Sequence, residues 1–150
     1  MKFLLETPDP VTVLGQQVSL MWIVIGAAFV IFMQAGFALV ETGMTQAKNA
    51  AHVVSTNFAI FGLGFIGFYL VGFAFSFGGF SYSAFGMDAP VGSALLGSGD
   101  WIFLWKGGWA LSGSAITPAV VGFFLYMVAF MDTVATIPTG SMAERWKWNS

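Results

Sequence analysis

The stretch LMWIVIGAAFVIFMQAGFALV, Leu20 to Val40, contains no charged residue and one strongly polar side chain, Gln34. A bilayer's hydrocarbon core is about 30 Å thick and takes about 20 helical residues to cross. This run has that length and composition, so it reads as a membrane-spanning helix. Two more runs follow the same logic. Phe58 to Phe77 has no charge, and Ile116 to Met131 is likewise uncharged, with a helical pattern continuing through Asp132 to about Met142.

The whole-chain composition agrees. Only 8% of the residues are charged, 57% are hydrophobic, and the mean hydropathy is +0.82. Soluble domains carry about 25% charged residues, so too few remain here to coat an apolar core. The net charge of −2 excludes a clustered basic surface for nucleic acid. The absence of cysteine excludes disulfides and thiolate metal sites. Met1 to Gln17 lacks the basic stretch, short apolar run and small-residue cleavage site of a leader. Lys2 is followed by Glu6 and Asp9, so no cleaved targeting segment is expected.

The connections differ in character. Glu41 to Asn57 is polar and suits a tight turn into the second helix. Gly78 to Ala115 is long and rich in Gly and Ser, with Trp101, Phe103, Trp105 and Trp109 beside Asp100 and Lys106. Tryptophans among polar residues favour the bilayer–water boundary, so residues 100–111 read as a short interfacial element on the membrane surface. Lys48, Arg145 and Lys147 fall on one side of the membrane, Lys2 and Lys106 on the other. The clustered Arg145 and Lys147 favour an outer N-terminus and a cytoplasmic C-terminal end.

Phe58, Phe61, Phe65, Phe68 and Phe75 recur at helical spacings and predict one continuous face of the second helix. Gly62, Gly64, Gly67 and Gly72 spread around its axis and predict crowding on several sides inside a larger bundle. In the third helix Phe123, Tyr126 and Phe130 share a face. Such a face is either an aromatic lining that meets a cation or plain packing bulk, and periodicity alone favours bulk. Asp132 lies roughly 200° around from Phe130, which favours a structural role over substrate contact. There it would accept hydrogen bonds from another helix or a neighbouring subunit. Gln34 invites interhelical hydrogen bonding. Glu41 reaches headgroups or water at the inner end of the first helix. Pro138 frees the carbonyl of Val134 and makes a kink possible there, while Thr133, Thr136 and Thr139 can bond back to the chain. His52, the single histidine, reads as an ordinary helix-terminal residue. No nucleophile–base pair, phosphate loop, metal-ligand set or cofactor motif is present in the sequence, so nothing points to an enzyme.

Specific strings then add to the pattern. FMQAGFALVETG (Phe32 to Gly43) followed by AKNA (Ala47 to Ala50) resembles the end of the first helix and first inner loop of the Amt/Mep/Rh ammonium transporter family. DTVATIPTGSMAER (Asp132 to Arg145) resembles that family's third helix and its Ala-Glu-Arg exit. The resemblance covers roughly residues 18 to 150 and makes residues 1–150 the N-terminal part, helices one to three, of a single all-α transmembrane bundle. It implies transport of ammonium or ammonia, an outer N-terminus, homotrimers in the cell membrane and a PII-type cytoplasmic signal protein as a possible partner. It also places Phe130 at the outer gate phenylalanine and Tyr126 on the vestibule wall. A fourth helix and both pore histidines are expected beyond Ser150, and three helices are not expected to conduct alone. Met127 and Asp132 depart from the family pattern, where many relatives have glutamine and a small residue. The same fold would also serve an ammonium sensor with a fused signalling domain, and three spans alone would suit a small structural subunit of a membrane complex.

Overall fold

A computed structural model describes residues 9–98, 101–113, 116–145 and 147. Lys2, Glu6 and Asp100, used above for charge placement, lie outside the described residues. Three helical stretches are long and apolar enough to cross a membrane: Pro10–Met44, Ala47–Phe77 and Pro118–Ser141.

The first helix, α1 (Pro10–Met44), starts where the Asp9 side chain accepts the Val11 N–H at 3.4 Å and Pro10 supplies a preset φ. It ends at Thr45, which is extended. Its 35 residues reach about 50 Å, well beyond a hydrocarbon core. The extra N-terminal turns, which carry the polar Gln16 and Gln17, stand beside the loop that precedes the last span. There the Gln16 Nε2 donates to the carbonyl of Ser83 at 3.0 Å.

A 3-10 turn (Ala47–Asn49) leads into α2 (Ala50–Gly67), a π-helical turn (Phe68–Gly72) and α3 (Phe73–Phe77). The π turn corrects the expectation of one phenylalanine face. An added residue in a helical turn rotates everything after it. The buried face of Phe68 therefore continues at Phe73, ring centroids 6.1 Å apart, and Phe75 turns outward. Of the four glycines expected to be crowded, only Gly64 meets another helix, at Met131. Gly72 lies against its own Phe68, and Gly62 and Gly67 face open space.

The long loop before the last span carries a small two-stranded sheet. Strands β1 (Ala94–Ser98) and β2 (Trp101–Trp105) pair antiparallel, Ser98 opposite Trp101, and a 3-10 turn follows at Trp109–Leu111. The interfacial element expected at 100–111 is thus half a hairpin and a turn. Its base is pinned to the end of α3. The Gly92 N–H donates to the Gly78 carbonyl at 2.9 Å, and the Trp105 side chain lies against Gly78 and Gly79. The Trp109 Nε1 donates to the Trp105 carbonyl at 2.9 Å.

The last helix, α4 (Pro118–Ser141), begins at Thr117, whose hydroxyl accepts the Val120 N–H at 3.3 Å. It runs unbroken through Pro138. Thr133 and Thr139 donate to the carbonyls of Ala129 and Thr136, so two of the three threonines bond back to the chain. α4 is the most enclosed span: 44% of its most apolar window is buried, against 6% for α1. Its N-terminal half carries the core. Phe123 stacks on Phe80 at 4.7 Å, and Phe124 packs on Phe68 and Phe73.

At the end of the bundle opposite the hairpin, the Glu144 Oε1 accepts the Gln46 N–H at 2.7 Å and the Asn49 Nδ2 at 3.0 Å. The Asn49 side chain and the Gln46 amide hold its carboxyl below the ordinary 4.5. A depressed carboxyl contributes stability above its unfolded value that is lost as pH falls through the folded one. The tie between the α4 exit and the first inner turn should therefore hold at neutral pH and release only in acid. Glu144→Gln should loosen it already at neutral pH, broadening the distance between spin labels at residues 50 and 142. An unchanged distance distribution would contradict the tie.

Gly79 gives a second expectation. A methyl there would collide with the Trp105 indole, and overpacking costs about 1–3 kcal/mol. Gly79→Ala should speed hydrogen exchange across the hairpin, whereas Gly62→Ala, with nothing nearby, should leave it unchanged.

Candidate functional site

Leu20 on α1 faces Gly122 on α4, Gly26 faces Tyr126, Gln34 bonds Thr136, and Glu41 faces Gly140. Residues advance together along both helices, so α1 and α4 run parallel. Glycine does the same job on either side of this seam. At Gly122 a Cβ would lie 2.7 Å from Leu20 Cδ1, and at Gly26 it would lie 3.2 Å from the Tyr126 ring.

Toward the C-terminal ends of α1 and α4, a polar layer crosses all three helices. The Gln34 Nε2 donates to Asn57 Oδ1 at 3.1 Å and to Thr136 Oγ1 at 2.8 Å, and Thr136 Oγ1 lies 3.1 Å from Gln34 Oε1. The Asn57 Nδ2 donates to Glu41 Oε2 at 2.8 Å and to the Val53 carbonyl at 3.1 Å. Glu41 is thus engaged by α2 rather than simply ending in water. Asn57 and Thr136 are buried and fully used, which suits polar groups taken out of water. Sequence reasoning singled out Gln34 but missed Asn57 and its bridge to Glu41. The signal was present as three polar residues that helical spacing could bring to one level.

Tyr126 and Phe130 are brought together. Their rings meet edge to face at 4.9 Å between centroids, and Phe130 keeps 39% of its surface open. Phe123, the third member of the expected aromatic face, is instead buried in the outer core. That face is therefore split between packing bulk and an open pair. Open ring faces are what a small cation can use as it sheds water.

Asp132 does not join the pair. It is 3% exposed, enclosed by this chain's own helices beside Ile31, Phe61, Phe65, Val128 and Ala129. Its Oδ1 meets no donor among the described residues. It sits one turn along α4 from Thr136, on the N-terminal side of the polar layer. His52 lies by the inner end with Glu41, Thr56 and Thr139. No cluster able to hold a metal ion occurs among the described residues.

A family model described as Ammonium Transporter Family matches residues 21–150. The ammonium transporter Amt2 of Archaeoglobus fulgidus is 34% identical over 133 residues, covering 88% of this chain and 24% of that protein. Amt1 of Haloferax mediterranei is 34% identical, covering 91% of this chain and 23% of its own length. Ammonium transporter 1 member 3 of Solanum lycopersicum is 32% identical, covering 89% and 25%. The chain thus spans about a quarter of the length of these curated relatives. No solved structure matches it.

The polar layer makes a direct prediction. Thr136→Val removes a hydroxyl bonded to Gln34, and interhelical hydrogen bonds in membranes are worth about 0.6–2 kcal/mol. Resistance to denaturation in mixed detergent should fall by that amount, with Thr136→Ser retaining most of it. A Val variant as stable as the parent would show that the layer contributes nothing.

Proposed function

The chain belongs to the ammonium transporter family, and from that premise we propose that it supplies the first three helices of a protein that moves ammonium or ammonia across a membrane. Family membership points to a multi-pass membrane transporter rather than an enzyme. The observation that carries the site is the Tyr126–Phe130 ring pair, in which Phe130 stays partly exposed.

In this reading residues 1–150 form one part of a single membrane domain. Phe130 stands at the outer gate and Tyr126 on the wall above it. An ammonium ion approaching an apolar passage loses hydration, and the negative faces of the two rings offset part of that cost. Asp132 and Gln34 act in the wall rather than on the path. Asp132 is closed in by α1 and α2, and Gln34 is committed to Thr136 and Asn57. The end that carries Lys48, Arg145 and Lys147 faces the cytoplasm, which follows the preference of basic residues for that side. Glu144 holds Gln46 and Asn49, so the first inner turn and the α4 exit share one end. Assembly as a homotrimer in the cell membrane and contact with a PII-type signal protein rest on the family resemblance alone.

One ring face is worth about 0.5–2 kcal/mol to a cation. Phe130→Ala in the native protein, reconstituted in liposomes, should therefore raise the apparent KM for ammonium by roughly two- to thirty-fold. Unchanged uptake and unchanged selectivity against methylammonium would remove Phe130 from the path. Asp132→Asn should leave that selectivity intact, and a changed selectivity would move Asp132 onto the path.

A further inference from the structure

Tyr126 is held from two sides. Phe130 meets its ring at 4.9 Å, edge to face. On the opposite helix, Gly26 of α1 stands so close that a Cβ there would lie 3.2 Å from Cε2 and 3.8 Å from Cδ2 of the ring. Ordinary contact begins at about 3.4 Å, so a methyl at this position must displace the ring by a few tenths of an ångström. The shift has a defined direction, away from α1.

We propose that Gly26 is a positioning residue for the aromatic pair: its missing side chain sets where the Tyr126 ring lies and, through it, the ring of Phe130. The inference rests on the reading of that pair as part of the ammonium path. The glycine is not needed for backbone freedom, since it lies inside the regular helix α1 and has no positive φ. What sets it apart from Gly36 on the same helix is its close approach to the Tyr126 ring. The α1–α4 seam shows the same device at Gly122, where Leu20 fills the space. There, however, the displaced atom would be the end of a flexible aliphatic chain, with no open ring behind it.

The test uses Gly26→Ala in the native protein, with Gly36→Ala as its control. Gly36 lies on the same helix with nothing within 4 Å of an added Cβ. Misplacing a binding group by a fraction of an ångström changes rates by several-fold. Gly26→Ala should raise the apparent KM for ammonium by roughly three-fold or more and alter discrimination against methylammonium, with maximal rate and thermal stability close to the parent. Gly36→Ala should change neither. Should Gly26→Ala match Gly36→Ala in KM and selectivity while Phe130→Ala and Tyr126→Ala alter both, the positioning role is overturned and the path survives. Should all of these variants transport like the parent, the reading of the pair itself fails. A Gly26→Ala variant that merely loses stability, with KM and selectivity unchanged in the folded fraction, would also overturn the proposal.

Discussion

Two apolar helices in lipid gain little by hiding from solvent, because the lipid is as apolar as they are. What holds α1 to α4 is therefore shape and hydrogen bonding, and the rest of the molecule depends on that seam. Glycine gives room to Leu20 and Tyr126, and Gln34 bonds Thr136 farther in. α2 locks the arrangement by inserting Asn57 between Gln34 and Glu41. A polar layer of this kind also fixes register, since a slide of one residue along either helix would strand buried amides without partners.

The two ends of the bundle are built differently. On the N-terminal side of the polar layer along α4, cohesion comes from phenylalanines: Phe123 and Phe124 interleave with Phe68, Phe73, Phe77 and Phe80. The π turn makes this possible by aiming Phe73 inward where a regular helix would not. Inward, cohesion comes from hydrogen bonds at Asn57, Glu41 and Glu144. Between these regions α4 shows solvent or lipid one aromatic opening, at Tyr126 and Phe130.

Much of this was legible in the sequence. Three uncharged runs declared the spans, since length and apolarity are what lipid demands of a helix. The polarity of Gln34 inside such a run marked it as a residue needing a partner. The π turn was not legible, because one extra residue per turn leaves no compositional trace and the phenylalanine spacing fits a regular helix equally well. The hairpin was hidden for a related reason. Trp101 to Trp105 is apolar in every position, so neither strand alternation nor a helical stripe stands out. The outer turns of α1 were missed because Gln16 and Gln17 look like the end of a span, although Gln16 serves the loop beside it. Family strings contributed what periodicity could not, separating Phe130 from Phe123 on a face where the two are equivalent by spacing.

Thiol accessibility at position 130 tests the central claim most directly, since this chain contributes no cysteine of its own. With Phe130→Cys in otherwise cysteine-free native protein, a small water-soluble thiol reagent should label the site from the outer face. Ammonium should slow that labelling in proportion to its occupancy of the path. A thiol that reacts only with lipid-soluble reagents, at a rate indifferent to ammonium, would place Phe130 against the bilayer and contradict the account.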